Sequence, residues 1–253
     1  MSVIAIYNSK GGVGKTAATV NLGYLAAYHG YRTLVWDLDP QGAATFYFRV
    51  KHRLKGASLA LTTRRDRIGE RIRGTDFDQL DVLPSDRELR NIDLAFDAAK
   101  HRTGRLRRVL DELGPEGYEL IFMDCPPSSS LLAENIFAAA DVLVVPVVPT
   151  TLSVRTLHQL DETLAELGPR RPEVLVFFSM ADGRKNLHAE VMAQLRQERH
   201  DVVATVIPAS TDIELMGSHR APVGVSAPTG VAAQAYRALW GELVARGYTE
   251  PTL

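Results

Sequence analysis

A chain of 253 residues, 45% apolar and 23% charged, has ordinary globular composition and enough length for a sizeable core. A formal net charge of −1 advertises no polyanion partner through bulk basicity, and a single cysteine, Cys125, excludes a disulfide framework or an intrachain cysteine metal cage. No apolar run approaches the roughly 20 residues that span a bilayer and no basic-then-apolar leader opens the chain, so a cytoplasmic protein without a membrane partner is expected.

The first predicted element is a strand, Val3-Ile4-Ala5-Ile6-Tyr7. It runs into Lys10-Gly11-Gly12-Val13-Gly14-Lys15-Thr16 and then into a helix start rich in small residues from Ala17 onward. Strand, glycine-rich turn and helix start make a phosphate trap, because glycines let backbone N–H groups converge and the helix N-terminus adds partial positive charge. The candidate cradle is Lys10, Gly11, Gly12, Val13, Gly14, Lys15, Thr16 and Ala17. Lys15 can reach β- and γ-phosphates, and the Thr16 hydroxyl can hold Mg²⁺.

The strict pattern G-x-x-x-x-G-K-[ST] is not met, since its first glycine falls at Ser9. The letters also satisfy a dinucleotide fingerprint, Gly12-Val13-Gly14-Lys15-Thr16-Ala17. That reading leaves Lys10 and the Gly-Lys-Thr helix start unexplained. A variant triphosphate loop, K-G-G-x-G-K-[ST], explains both. The bland alternative for Lys10 is a solvated turn lysine.

Further apolar runs follow at Thr33–Asp37, Leu80–Pro84, Leu120–Asp124, Val142–Pro146, Val174–Phe178 and Val203–Pro208, separated by helical stretches. Continuous apolar strands alternating with helices predict an α/β fold whose parallel sheet is covered on both faces. The last stretch, from Ala232 to Ala245, is predicted to be a packing helix with Ala235, Leu239 and Leu243 on one face and Tyr236 and Trp240 beside them.

Ligands of open parallel sheets bind beyond the carboxyl ends of the strands. Asp37, Asp39 and Asp124 lie at or just past such ends. Asp124 is placed to orient Mg²⁺ or its waters. Asp37-Leu38-Asp39 sets two carboxylates on one side of an extended segment, one for the metal shell and one for water. Turn and cap roles are the plain alternative for a lone aspartate. After a Gly-Lys-Thr loop the catalytic reading is preferred.

Three segments together, Lys10 to Thr16, Asp37-Leu38-Asp39-Pro40-Gln41-Gly42 and Asp124-Cys125-Pro126-Pro127-Ser128, resemble the nucleotide motifs of the ParA/Soj partition ATPases. That group belongs to the deviant Walker A class, which also holds MinD. Val206-Ile207-Pro208 is similar to the family's adenine-side segment, and Met216 to Pro222 to its Ser-His-Gly-Lys-Pro stretch. The resemblance implies a P-loop NTPase with a twisted, mostly parallel sheet flanked by helices, spanning 1–253 as a single domain. It implies ATP and Mg²⁺ as cofactors, with Thr16, Asp37 and Asp124 at the metal, Pro208 at the adenine and Lys10, Lys15 and Asp39 as catalytic residues. Two ATP-bound subunits would form a homodimer in which Lys10 crosses to the partner's phosphates and Asp39 positions the attacking water.

The resemblance also implies non-specific DNA binding by the ATP dimer, a ParB-like or cargo-adaptor protein, and a nucleoid-associated location. Basic residues cluster in Arg49–Lys55, in Arg64 to Arg73 and at Arg102, Arg105, Arg107 and Arg108. Arg184, Arg196, Arg199 and Arg220 are the candidate DNA contacts. The family's second DNA-contacting stretch, Asp-Pro-x-Ser-Arg-Gly, is replaced here by Ala227-Pro228-Thr229-Gly230-Val231. Two other readings stay open: an ATP-dependent ligase or amidotransferase, and a MinD-like spatial regulator. Against the second stands the lack of a basic amphipathic tail. Nitrogenase-type and arsenite-pump relatives need several cysteines.

Overall fold

The computed structural model describes residues 1–51, 68–98 and 102–249, apart from the side chains of Pro115 and Arg170. Strands β1 (Ser2–Ile6), β2 (Thr33–Asp37), β3 (Arg73–Gly74), β4 (Leu80–Leu83), β5 (Leu120–Asp124), β6 (Val142–Val147), β7 (Glu173–Ala181) and β8 (Val202–Pro208) join one sheet. Their order is β3-β4-β2-β5-β1-β6-β7-β8, parallel throughout except for the antiparallel β3–β4 pair. Parallel neighbours need crossovers, which helices between the strands supply, and further helices follow β8. These are α1 (Lys15–Tyr28), α2 (Ala43–Tyr47), α3 (Ile92–Asp97), α4 (Arg105–Leu113), α5 (Leu131–Ala139), α6 (Thr151–Glu166), α7 (Asn186–Glu198), α8 (Thr211–Glu214), α9 (Met216–His219), α10 (Val223–Ser226) and α11 (Val231–Ala245).

The apolar runs are continuous because each central strand is buried on both faces. Val3, Ala5, Leu34, Trp36, Ile121, Met123, Leu143 and Val145 face a core shared with α3 to α7. Their alternates Ile4, Ile6, Val35, Leu120, Phe122, Val142 and Val144 face a second core filled from α1 and α11. The predicted packing helix is there, with Tyr236, Leu239, Trp240 and Leu243 buried. Each fully buried Leu, Ile or Phe contributes about 1.5–3 kcal/mol relative to exposure. Two such layers fix the register of the central strands, and hence the positions of the loops at their carboxyl ends.

The expected strands are present within one to three residues at each end. Two departures have clear causes. β3 has only two exposed residues and carries no apolar signal. β7 runs on to Ala181, through Ser179 and a left-handed Met180 (φ 53°). That extension matters because Ser179 touches the phosphate loop.

Candidate active site

β1 ends at Ile6 and passes the chain to Tyr7 and Asn8, both buried. The Tyr7 hydroxyl donates to the Ser128 carbonyl at 2.7 Å, and its ring meets Phe137 edge-on, 4.8 Å between centroids. Burial raises the phenol's pKa, so it remains a donor at neutral pH. Asn8 uses both ends of its amide: Nδ2 donates to the Pro146 carbonyl of β6 at 2.8 Å, and Oδ1 accepts the Lys10 N–H at 2.9 Å. The start of the loop is thereby tied to the neighbouring strand.

Gly12 and Gly14 hold φ of 70° and 93°, the left-handed region that favours glycine. A Cβ on Gly14 would lie 2.7 Å from Ser179 Oγ, so two constraints demand glycine there. Helix α1 starts at Lys15 with no side-chain cap and no acidic residue in its first turn. Its first N–H groups are thus left for an anion. Lys15 is buried and its Nζ donates to the Lys10 carbonyl at 2.7 Å. Burial lowers its pKa, while Cys125, Asp124 and Asp39 pull the other way. The half-exposed Lys10 ammonium is also lowered, by partial desolvation.

Asp124 closes β5, fully buried, directly opposite Asp37 of β2. Its Oδ1 accepts from Thr19 Oγ1 at 3.3 Å, and its Oδ2 has no hydrogen-bond partner among the described residues. Burial and then the charge of Asp37 push this carboxyl well above the ordinary range, with the nearby Thr16 hydroxyl pulling it down. A buried carboxylate oxygen without a donor, beside the first turn of an uncapped helix, suits a cation. Both ends of the loop and its lysines suit a polyphosphate.

Asp37, at the end of β2, is hydrogen-bonded through both oxygens. Its Oδ2 accepts two bonds from Thr45, from N at 2.8 Å and Oγ1 at 2.6 Å, and its Oδ1 accepts the Asp39 N–H at 3.3 Å. Burial pushes its pKa up to about 6 against the Thr45 bonds. With both oxygens engaged, Asp37 has less to offer a cation than Asp124, whose Oδ2 has no hydrogen-bond partner among the described residues. Asp39 is half-exposed at the following turn, where its Oδ1 accepts the Gln41 N–H at 2.9 Å. Cys125 is buried. Pro208 ends β8, paired with Ala181 of β7. It lies on the same rim of the sheet as the loop, two strands beyond β6.

The four candidate DNA arginines are not brought together. Arg199 sits before β8, at the opposite end of the sheet from the loop, and grips Asp161 and Asp201. Its Nε and Nη2 meet Asp201 at 2.9 and 2.6 Å. Burial lowers its pKa, and the bonds from Asp201 and Asp161 outweigh that and raise it. Its charge is consumed inside the fold. Arg196 donates to the Ala204 carbonyl at 2.9 Å and covers the Phe178 ring. Arg220 donates to the Phe46 carbonyl at 3.0 Å and stacks 4.5 Å over that ring. Arg184 is 90% exposed and pairs with Asp182 at 2.9 Å. Of the other basic clusters, His52 to Lys55 and Arg64 to Arg67 lie outside the described residues.

Sequence reasoning missed Asn8, Ser179, Thr45 and Ser85. Asn8 could have been found, because an asparagine between a strand and a tight loop is a natural anchor. The other three act through contacts between separate elements and leave no local spacing.

Residues 1–175 match the AAA domain family. The chain is 33% identical over 251 residues to the sporulation initiation inhibitor protein Soj of Bacillus subtilis, covering 97% of this chain and 99% of that one. It is 36% identical over 250 residues to the chromosome-partitioning ATPase Soj of Thermus thermophilus, covering 96% and 95%. The chain belongs to the ParA/Soj family of partition ATPases. Among solved structures, cobyrinic acid a,c-diamide synthase of Mycobacterium smegmatis, with bound ATP analogue and magnesium, superposes with a TM-score of 0.80 at 24% identity, covering 100% and 99%. An ATP complex of a Cyanothece McdA variant superposes at 0.82 and 20% identity, covering 100% and 98%. Both share the fold of this ParA/Soj chain, a P-loop NTPase fold.

Proposed function

We propose that this ParA/Soj chain is an ATP-dependent dimerisation switch with slow Mg²⁺-dependent hydrolysis, which positions a cargo by binding DNA without sequence preference. The observation that carries the reading is the pair of lysines on one loop. Lys15 folds inward onto the Lys10 carbonyl, while the Lys10 ammonium stays at the surface with no carboxylate among the described residues near enough to shift it. One lysine suffices to hold a triphosphate in its own site. The second is placed to reach a triphosphate held by another subunit.

When bound, Mg²⁺ would supply positive charge that offsets the charge of the phosphates. Thr16 and Asp124 would hold it, and Asp37 would brace the carboxylate platform from the neighbouring strand. Lys15 neutralises β- and γ-oxygens. Asp39 orients a water whose oxygen attacks the γ-phosphorus as ADP leaves. Lys10 from the partner neutralises charge on the transferring group, so hydrolysis waits for dimerisation. Pro208 closes the adenine side. An adaptor protein that accelerates hydrolysis or links the dimer to cargo completes the scheme.

DNA is the proposed matrix on the strength of the relatives' part in chromosome partitioning. Arg184 and Arg196 are the exposed members of the four, and Arg184, paired with Asp182 two residues away, would turn to phosphate with the least loss of packing. Each subunit then offers few contacts, and dimerisation doubles them. In a mobility-shift assay at two salt concentrations, the ATP form should bind random duplex DNA and the ADP form should not. Affinity should fall by roughly 0.9 log units per phosphate contact per decade of salt. Equal binding with ATP and ADP, or insensitivity to salt, would remove DNA as the matrix and point to a protein scaffold. For the chemistry, Lys15→Ala should abolish ATP turnover. Lys10→Ala should bind ATP yet fail to hydrolyse it, and an active Lys10→Ala enzyme would refute catalysis in trans.

A further inference from the structure

We propose that Thr45 and Ser85 are positioning residues for hydrolysis, forming a buried hydroxyl relay that locks Asp37 and Asp39 into one unit. The proposal rests on the reading of Asp39 as the water-orienting carboxylate. Thr45 belongs to α2 and Ser85 follows β4, and both are shut off from solvent, at 0% and 1% exposure. Thr45 gives Asp37 Oδ2 two hydrogen bonds. The same hydroxyl oxygen accepts the Ser85 N–H at 3.0 Å. Ser85 Oγ donates to the Asp39 carbonyl at 2.5 Å, and the Asp39 N–H returns to Asp37 Oδ1. The bonds close a ring through Asp37, Thr45, Ser85 and Asp39.

The chemistry of each position is specific. Thr45 must donate to a carboxylate and accept from an amide with one oxygen, which a hydroxyl can do and a methyl cannot. Its backbone N–H lies in the first turn of α2, whose N-terminus is Gly42 at φ 66° with no side-chain cap. Asp37 takes the capping role from outside the helix. Ser85 fixes the backbone of Asp39 rather than its carboxylate, of which Oδ1 accepts the Gln41 N–H and the other oxygen is left to water. Because the Thr45 and Ser85 side chains are shut off from solvent, water does not readily replace a lost hydroxyl. A reacting group displaced by about 1 Å can lose two orders of magnitude in rate.

The test is steady-state ATP turnover by the full chain with Mg²⁺, for wild type, Asp39→Ala, Thr45→Val, Thr45→Ser and Ser85→Ala, with thermal unfolding in parallel. Thr45→Val should lose about 10–100-fold in kcat. Its KM for ATP should stay within about twofold, since with slow chemistry KM reports binding. Thr45→Ser should recover to within about threefold of wild type, because it restores the hydroxyl and not the methyl. Thr45→Val at the wild-type kcat overturns the relay, as does a raised KM with unchanged kcat, or a serine variant as slow as valine. If Thr45→Val does not fold, Ser85→Ala carries the test: about a tenfold loss of kcat is expected. A wild-type rate there overturns the relay. An inactive wild type, or an active Asp39→Ala, refutes the underlying reading instead. An inactive Asp39→Ala beside fully active Thr45→Val and Ser85→Ala refutes the relay alone.

Discussion

Asp124 carries a carboxylate oxygen that the fold buries and leaves without a donor among the described residues, opposite a second buried carboxylate. Such a group costs about 1–3 kcal/mol or more unless a cation meets it. Its pKa is raised in the folded state, so between the ordinary carboxylate value and the raised one the folded chain holds a proton that the unfolded chain releases. Stability therefore falls as pH climbs through that window. Asp124→Asn imitates the protonated form. In metal-free buffer without nucleotide it should raise the unfolding temperature at pH 7.5 by about 2–4 °C per kcal/mol recovered. The gain should vanish as pH falls toward 4, and ATP turnover should be lost at all pH values. A variant less stable than wild type at pH 7.5 would contradict the assignment. Arg199 makes the reverse case. Arg199→Ala leaves Asp161 and Asp201 without their shared cation, in a cluster that is partly open to solvent screening. It should cost about 1–2 kcal/mol of stability, read by chemical denaturation, with ATP affinity unchanged.

At the scale of elements, the junction of the loop with α1 tolerates no side chain at Gly14. Gly14→Ala meets both a left-handed backbone and Ser179 Oγ. It should weaken ATP binding at least tenfold by calorimetry while the sheet still forms, and unaltered affinity would mean the loop rearranges freely. The loop itself was legible because its chemistry is local: seven consecutive residues carry the glycines, the lysines and the hydroxyl. The central strands were legible because burial on both faces leaves unbroken apolar runs. β3 was not, since two exposed residues held by an antiparallel pairing carry no pattern. Asp37 and Asp124 were legible as strand-end carboxylates, but the division of hydrogen bonds between them was not. That division depends on Thr45, 8 residues away, and on the alignment of β2 with β5, which no spacing encodes. The DNA arginines were read from local basicity and the family resemblance, and side-chain partners decide whether a charge is available.

At the scale of the whole molecule, one sheet rim gathers the loop, Asp37, Asp39, Asp124 and Pro208, and Lys10 projects from it without a carboxylate among the described residues near enough to shift its titration. Two such rims facing each other would place cationic loops against each other, which repel unless triphosphates lie between them. Under the proposed function, association would be conditional on ATP through that charge balance, and hydrolysis would dissolve it. The most direct test is the molar mass of Asp39→Ala by size exclusion with light scattering, in Mg-ATP and in Mg-ADP. Slow turnover in this variant preserves the ATP state during the run. A mass of two chains with ATP and one chain with ADP is the expected result. The same mass in both nucleotides would contradict the switch.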